Sequence, residues 1–170
     1  MIALRARTRS LHASIEREVN VIQRTRTRKE YAHLLARFYG FYLPVEARLD
    51  VLTGLQATRF DNNARRKVPL LRADMLCLQN DAPLLDEIEV CHHLPPLDTV
   101  AQALGALYVV EGATLGGQII SREILKNLHL TPECGGAFFA SYGAQVGAMW
   151  TTRAAFAFCT QTYRSFPDIV

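Results

Sequence analysis

Cysteine is sparse and unpatterned. Four stand in 170 residues, at Cys77, Cys91, Cys134 and Cys159, and no two are spaced as C-x-x-C. That excludes zinc fingers, zinc ribbons and a thioredoxin-type motif, and the thiols are expected to be reduced, as in a cytoplasm. No run of about 18 apolar residues is free of charge, so no transmembrane helix is expected. The opening MIALRARTRSLH spreads arginines through its length and has no apolar h-region, so it does not read as a secretory signal. No alternating apolar–polar pattern persists over the length of a strand, and there are no internal repeats or low-complexity segments. Neither sign of charge dominates. A net charge of +3 permits an anionic ligand or an acidic partner but does not suggest nucleic acid.

What the chain does have is apolar residues at helical spacing. With 49% hydrophobic content over this length, it is expected to be one all-α globular domain with a sizeable core. The organising stretch is Ala103 to Leu125, ALGALYVVEGATLGGQIISREIL, which reads as a helix although it carries Gly105, Gly112, Gly116 and Gly117. Each interior glycine costs about 1 kcal/mol relative to alanine. At about 100° per residue, Gly105, Val109, Gly112, Gly116 and Ile119 fall on one narrow stripe. Such a stripe serves either close helix–helix packing or the approach of a large flat ligand to the backbone. Three glycines on the stripe and a fourth beside it favour the ligand.

Around this stretch the chain reads as a series of helices. The first runs from about Ala3 to Val19, with Leu4, Thr8, Leu11, Ile15 and Val19 inward and His12 at the stripe's edge, flanked by Arg5, Arg9 and Glu16. Periodicity alone makes His12 a half-buried histidine bonded to Glu16 one turn away. Val21 to Arg28 is a basic connector, either a solvated charge run or a docking surface for an acidic electron donor. Thr27 and Glu30 form a capping box opening a helix that carries Tyr31, Leu34, Leu35, Phe38 and Tyr42; Pro44 should kink or break it by removing the bond to the Gly40 carbonyl, and the segment beyond is expected to be helical to about Leu52. A loop follows from Gly54 to Asn63, then a helix from about Arg65 to Leu78, with Asp74 facing solvent or a cap. Asn80 to Leu97 is irregular, and its Cys91-His92-His93 cluster lacks metal-ligand spacing. Asp98 is the expected N-cap of the glycine helix. Thr131-Pro132 is the expected start of the next helix, and Tyr142 to Thr162 is the expected last one.

YVVEGATLGGQII resembles the distal helix of heme oxygenases, most closely the bacterial, bacteriophytochrome-associated branch. LRARTRSLHASIE resembles the family's N-terminal segment, where a histidine ligates the heme iron, and His12 stands at that position. FYGFYLPVEARL and the stretch from Phe138 to Trp150 also resemble the bacterial branch. The resemblance runs from about Leu4 to Trp150. It implies a compact helical domain clamping heme between the first helix and the glycine helix. It makes Gly112 and Gly116 the heme-facing, catalytic glycines, with Val109, Ala113 and Gly117 beside them. It makes His12 the iron ligand, oriented by Glu16, and sets Arg5 and Arg9 toward the propionates, since guanidinium pairs well with carboxylates. The implied reaction is oxidative opening of heme, as both substrate and cofactor, to biliverdin, with release of carbon monoxide and ferrous iron. Electrons would come from a ferredoxin or reductase, and a bacteriophytochrome would receive the product. No nucleic acid or membrane partner is expected.

The chain departs from the family twice. Many members carry a carboxylate after the first distal glycine, ordering the water that protonates bound oxygen; here that residue is Ala113, as is common in the bacterial branch. Glu111 does not replace it, because it lies well away from the glycine stripe on a helical wheel. After Trp150 the resemblance fades where the family usually continues with another helix, so a short C-terminus is expected. Three other functions compete with heme oxygenase: a heme carrier that leaves the ring intact, a thiaminase-like helical enzyme, and a heme-free interaction module.

Overall fold

The computed structural model describes residues 13–14, 16–56, 61–112, 114–145 and 149. His12, Arg5, Arg9 and Ala113 lie outside them, as do most of the first helix and of the expected helix beyond Tyr142. Residues 13–14 and 16–19 are helical, and Asn20 ends that turn at φ 42°, its N–H donating to the Glu16 carbonyl at 3.0 Å. Asn tolerates the left-handed region better than most residues. The expected basic connector is instead a helical turn, α1 (Val21–Arg24). Arg24 accounts for the difference, since its Nε donates to the Val19 carbonyl at 2.9 Å and ties the turn to the helix before it.

The longest element, α2 (Arg28–Asp50), starts as expected: the Glu30 N–H donates to Thr27 Oγ1 at 3.2 Å, and the Thr27 hydroxyl donates to the Glu30 carboxylate at 2.8 Å. It then runs unbroken through Pro44. The expected break is absent because another donor replaces the lost one. The Cys91 N–H donates to the Gly40 carbonyl at 2.9 Å, the carbonyl that Pro44 leaves without its helical partner. A β-carbon at Gly40 would run into the Glu89 carbonyl, so glycine is what lets the irregular segment come this close.

Two helical turns follow, α3 (Thr53–Gln56) and a 3-10 turn (Asn63–Arg65), the latter held at its start by Asp61, whose Oδ1 accepts from the Ala64 N–H at 3.0 Å. Helix α4 (Val68–Cys77) comes next, then a mostly irregular segment with one 3-10 turn (Leu85–Glu87). The glycine stretch forms two helical runs, α5 (Val100–Gly112) and α6 (Thr114–Leu128). Thr99, and not Asp98, caps it: the Gln102 N–H donates to Thr99 Oγ1 at 3.2 Å, while Gln102 Oε1 accepts from the N–H groups of Asp98 and Thr99. The Asp98 carboxylate is drawn away to Arg48 at 3.4 Å.

Thr131-Pro132 does not start a helix. Thr131 and Cys134 exchange backbone hydrogen bonds across a tight turn, and Gly135 at φ 82° redirects the chain. The short helix α7 (Ala137–Ala140) begins only after Gly136. Its first free N–H groups, on Ala137 and Phe138, both donate to the buried Asp74 carboxylate at 2.8 Å. Asp74 is thus a cap, as one of its two readings had it, but for a helix 63 residues further on. Burial outweighs those two hydrogen bonds and raises its pKa to about 6.

The structure also corrects the reading of all four cysteines as reduced: Cys77 at the end of α4 is disulfide-bonded to Cys134, with Cα atoms 5.6 Å apart. C-x-x-C spacing is uninformative about a pair 57 residues apart.

The fold is all-α; among the described residues the extended pairing is limited to isolated bridges around Thr131. The core has two lobes along α2. One joins Tyr31, Leu34, Leu35, Tyr39 and Tyr42 to Leu71, Met75, Ile124, Leu128, Phe138 and Phe139. The other joins Val45 and Leu49 to Leu97, Ala103, Leu104 and Leu107. The glycine helix therefore lies antiparallel to α2, its start against the end of α2 and its end against the start. By length and composition, Val100–Leu128 would suffice to cross a membrane. Ala103, Leu104, Leu107, Ile124 and Leu128 put one side of it in the core, while Val109, Ile119 and Leu125 on it are exposed.

Candidate functional site

The glycine helix has two faces. Ala103, Leu104, Leu107, Glu111, Thr114, Gly117, Ile124 and Leu128 are buried against the rest of the chain. On the opposite side Gly105 and Gly116 are exposed, Val109 is 67% exposed and Ile119 61%. This outer face is the stripe read from the periodicity. Val109 and Ile119 thus leave an apolar patch beside bare backbone on this face.

The glycines divide in the same way. A β-carbon built on Gly105 or Gly116 meets nothing within 4 Å. Packing inside the described structure therefore does not account for either residue. At Gly117 the added carbon would run into the Phe139 carbonyl oxygen. Gly117, grouped with the ligand-facing residues in the sequence, instead lets α7 sit against α6. Its direction explains the difference: one residue past Gly116 is about 100° around the helix. Gly112 ends α5 on the stripe side by the same periodicity.

Behind the stripe lies a buried charged cluster. Arg65 Nη1 donates to Glu111 Oε2 at 2.7 Å, and the Tyr142 hydroxyl donates to the same carboxylate at 2.8 Å. Lys67 Nζ stands 3.6 Å from Glu111 Oε1, donates to Ser141 Oγ at 2.9 Å and lies 3.8 Å from the centroid of the Tyr142 ring. The side chains of Arg65, Lys67 and Glu111 are each no more than 6% exposed. Burial lowers the Lys67 pKa despite the adjacent carboxylate. Burial also raises that of the Tyr142 phenol, and the Glu111 charge adds to it. Glu46 continues the polar layer, accepting from the Lys67 N–H at 2.6 Å and the Val68 N–H at 3.1 Å at the start of α4. Sequence reasoning placed Glu111 away from the stripe but missed its partners, which come from two distant segments. The signal it left was a carboxylate in the middle of an apolar helix.

Of the other candidates, Glu16 is exposed on the last turn of the first helix. His33 is exposed, with Nδ1 2.8 Å from the Lys29 carbonyl of its own helix. Among the described residues no group of three or more His, Cys, Asp or Glu side chains could hold a metal ion. A heme site needs no such group, because the porphyrin supplies four ligands and the protein one imidazole.

The sequence model of one family, heme oxygenase, matches residues 1–156. The chain belongs to the heme oxygenase family. A protein named heme oxygenase from Xanthomonas campestris pv. campestris (strain 8004) is 34% identical over 97 residues, which is 56% of this chain and 53% of that relative. The chain thus aligns with about half the length of this curated relative. No solved structure matches the chain. The family match extends past Trp150, where the motif-level resemblance fades.

Proposed function

We propose that the chain is a heme oxygenase that opens heme to biliverdin, releasing carbon monoxide and ferrous iron with O2 and external electrons. The carrying observation is the outward glycine stripe: Gly105 and Gly116 have empty space where a side chain would be, beside exposed Val109 and Ile119. That surface suits a flat apolar macrocycle pressed against backbone. His12 is the proposed iron ligand, oriented by Glu16, with Arg5 and Arg9 on the propionates. Gly112 and Gly116 keep the distal face free of bulk and bring peptide groups close to the reacting centre, a positioning role. With Ala113 following Gly112, no carboxylate stands at the family's usual distal place, so the proton route uses water or backbone groups. Heme supplies the iron and the ring that is consumed.

A ferredoxin or reductase is the proposed electron donor and a bacteriophytochrome the proposed recipient of biliverdin. These rest on the likeness to the bacterial branch. Apo-phytochrome that gains no chromophore in a product-transfer assay would count against the recipient.

The deciding experiment is an absorbance time course: hemin is added to the purified chain, then oxygen with ascorbate or a reductase system. Loss of the Soret band with extractable biliverdin is the expected result. A Soret band that persists through oxidation and reduction would make the protein a heme carrier, and no Soret shift at all would remove heme from the reading.

A further inference from the structure

We propose that Glu111 is a positioning residue, gripped from behind by Arg65, Lys67 and Tyr142 so that the glycine stripe is held at a fixed rotation toward the heme. The inference rests on the heme oxygenase reading and deepens it.

Glu111 immediately precedes Gly112, and its carboxylate points away from the stripe into protein. Arg65 and Tyr142 hydrogen-bond it at 2.7 and 2.8 Å, and Lys67 stands 3.6 Å away. These groups reach it from the turn before α4 and from the segment after α7. Arg65 Nη2 also donates to the Met149 carbonyl at 3.0 Å, joining a third segment to the cluster. Buried ion pairs contribute little net stability compared with well-packed apolar side chains, and their best-attested use is to fix one register among several. An apolar residue at position 111 would let the helix settle at any rotation that buries it. A carboxylate held by two hydrogen bonds, with the Lys67 ammonium beside it, does not.

The geometry shows why rotation matters. With backbone about 2.3 Å from the helix axis, a rotation of about 20° shifts the Gly112 and Gly116 backbone by roughly 0.8 Å. Misplacement on that scale at a reacting centre is enough to cost about 100-fold in rate. Binding of a large apolar ring is less sensitive, because it is spread over many contacts.

The test compares wild type with Glu111→Gln, Glu111→Leu and Tyr142→Phe, each as the full chain. Three quantities are read: hemin affinity by Soret titration, single-turnover ring opening per bound heme, and the ratio of biliverdin isomers. The expected result for Glu111→Leu is hemin affinity within about threefold of wild type, ring opening slower by about tenfold or more, and a broadened isomer ratio. Glu111→Gln and Tyr142→Phe should move the same way by less, and they carry the test if Glu111→Leu does not fold. If the variants lower only the melting temperature, with ring opening per bound heme and isomer ratio unchanged, the cluster is structural and the proposal is overturned. A wild type that binds hemin without opening it sinks the activity reading alone; unchanged spectra of ferric heme in the variants would then overturn the positioning role, and altered spectra would support it. A wild type that binds no hemin overturns both.

Discussion

Replacing each of the two adjacent glycines of α6 by alanine should move stability in opposite directions. Alanine in a helix interior is favoured over glycine by roughly 0.5–1 kcal/mol. At Gly116 the new methyl meets nothing within 4 Å, so this gain is unopposed. Gly116→Ala should raise the melting temperature of the heme-free chain by roughly 2–4 °C for about 1 kcal/mol. At Gly117 the methyl runs into the Phe139 carbonyl group, which is backbone and cannot swing aside. Overpacking of this kind costs about 1–3 kcal/mol, which exceeds the propensity gain, so Gly117→Ala should melt several degrees lower. Hemin binding should rank the two the other way. The Gly116 methyl fills the space proposed for the ring and should weaken hemin about tenfold, or about 1.4 kcal/mol, while Gly117→Ala should bind hemin normally at temperatures where it is folded. Thermal melts and Soret titrations of both variants measure this directly. A Gly116→Ala chain that melts lower than wild type, or binds hemin as tightly, would refute the assignment of the stripe to a ligand.

Three other outcomes are expected. Arg65→Met leaves the Glu111 carboxylate buried with one fewer cation and should cost about 3–5 kcal/mol in urea unfolding; a loss under 1 kcal/mol would mean water or Lys67 compensates fully. Asp74 has a folded-state pKa raised to about 6 from 3.8, so the folded chain binds the extra proton and this group's stabilising contribution is lost as pH rises from about 4 to about 6. The unfolding free energy of wild type minus that of Asp74→Asn should fall across that window, and a difference that is flat or rises with pH would contradict the raised pKa. The Cys77–Cys134 bond closes a loop of 57 residues, which chain entropy values at about 4 kcal/mol. Dithiothreitol should therefore lower the denaturation midpoint of wild type and leave a Cys77→Ser/Cys134→Ser chain unmoved.

Local signals survived into the structure where their partners were also local. The Thr27–Glu30 box needs only three residues, and it forms. The glycine stripe is a matter of periodicity along one helix, and its exposed face is where the periodicity put it. Two failures are local, the Arg24 bond to Val19 that turns the basic connector into a helix and the tight Thr131–Cys134 turn; the others involve a partner far along the chain. Pro44 does break a helical hydrogen bond, but the donor that saves the Gly40 carbonyl comes from Cys91. Asp98 is a good N-cap by type, yet Arg48 on α2 holds its carboxylate and leaves Thr99 to cap. Asp74 reaches a helix that cannot be anticipated from α4 alone, and Cys77 on α4 likewise meets Cys134 in the turn just before that helix. Sequence spacing carries no information about contacts that only tertiary packing creates.

Gly116 and Gly117 show how far composition can take a ligand argument. Counted together, four glycines in one helix look like a single device for admitting a ring. Their surroundings separate three of them into a pair open to solvent, Gly105 and Gly116, and one closed by Phe139, Gly117. These are two separate demands on one helix: the back must fit α7 and hold Glu111, and the front must stay bare. The first demand serves the second. Phe138 and Phe139, which hold the back, are themselves tied to α4 by Asp74 and by the Cys77–Cys134 bond next to them. The bare face of the glycine helix is therefore set by contacts on its far side, and substitutions there should alter ring opening while leaving hemin binding largely intact.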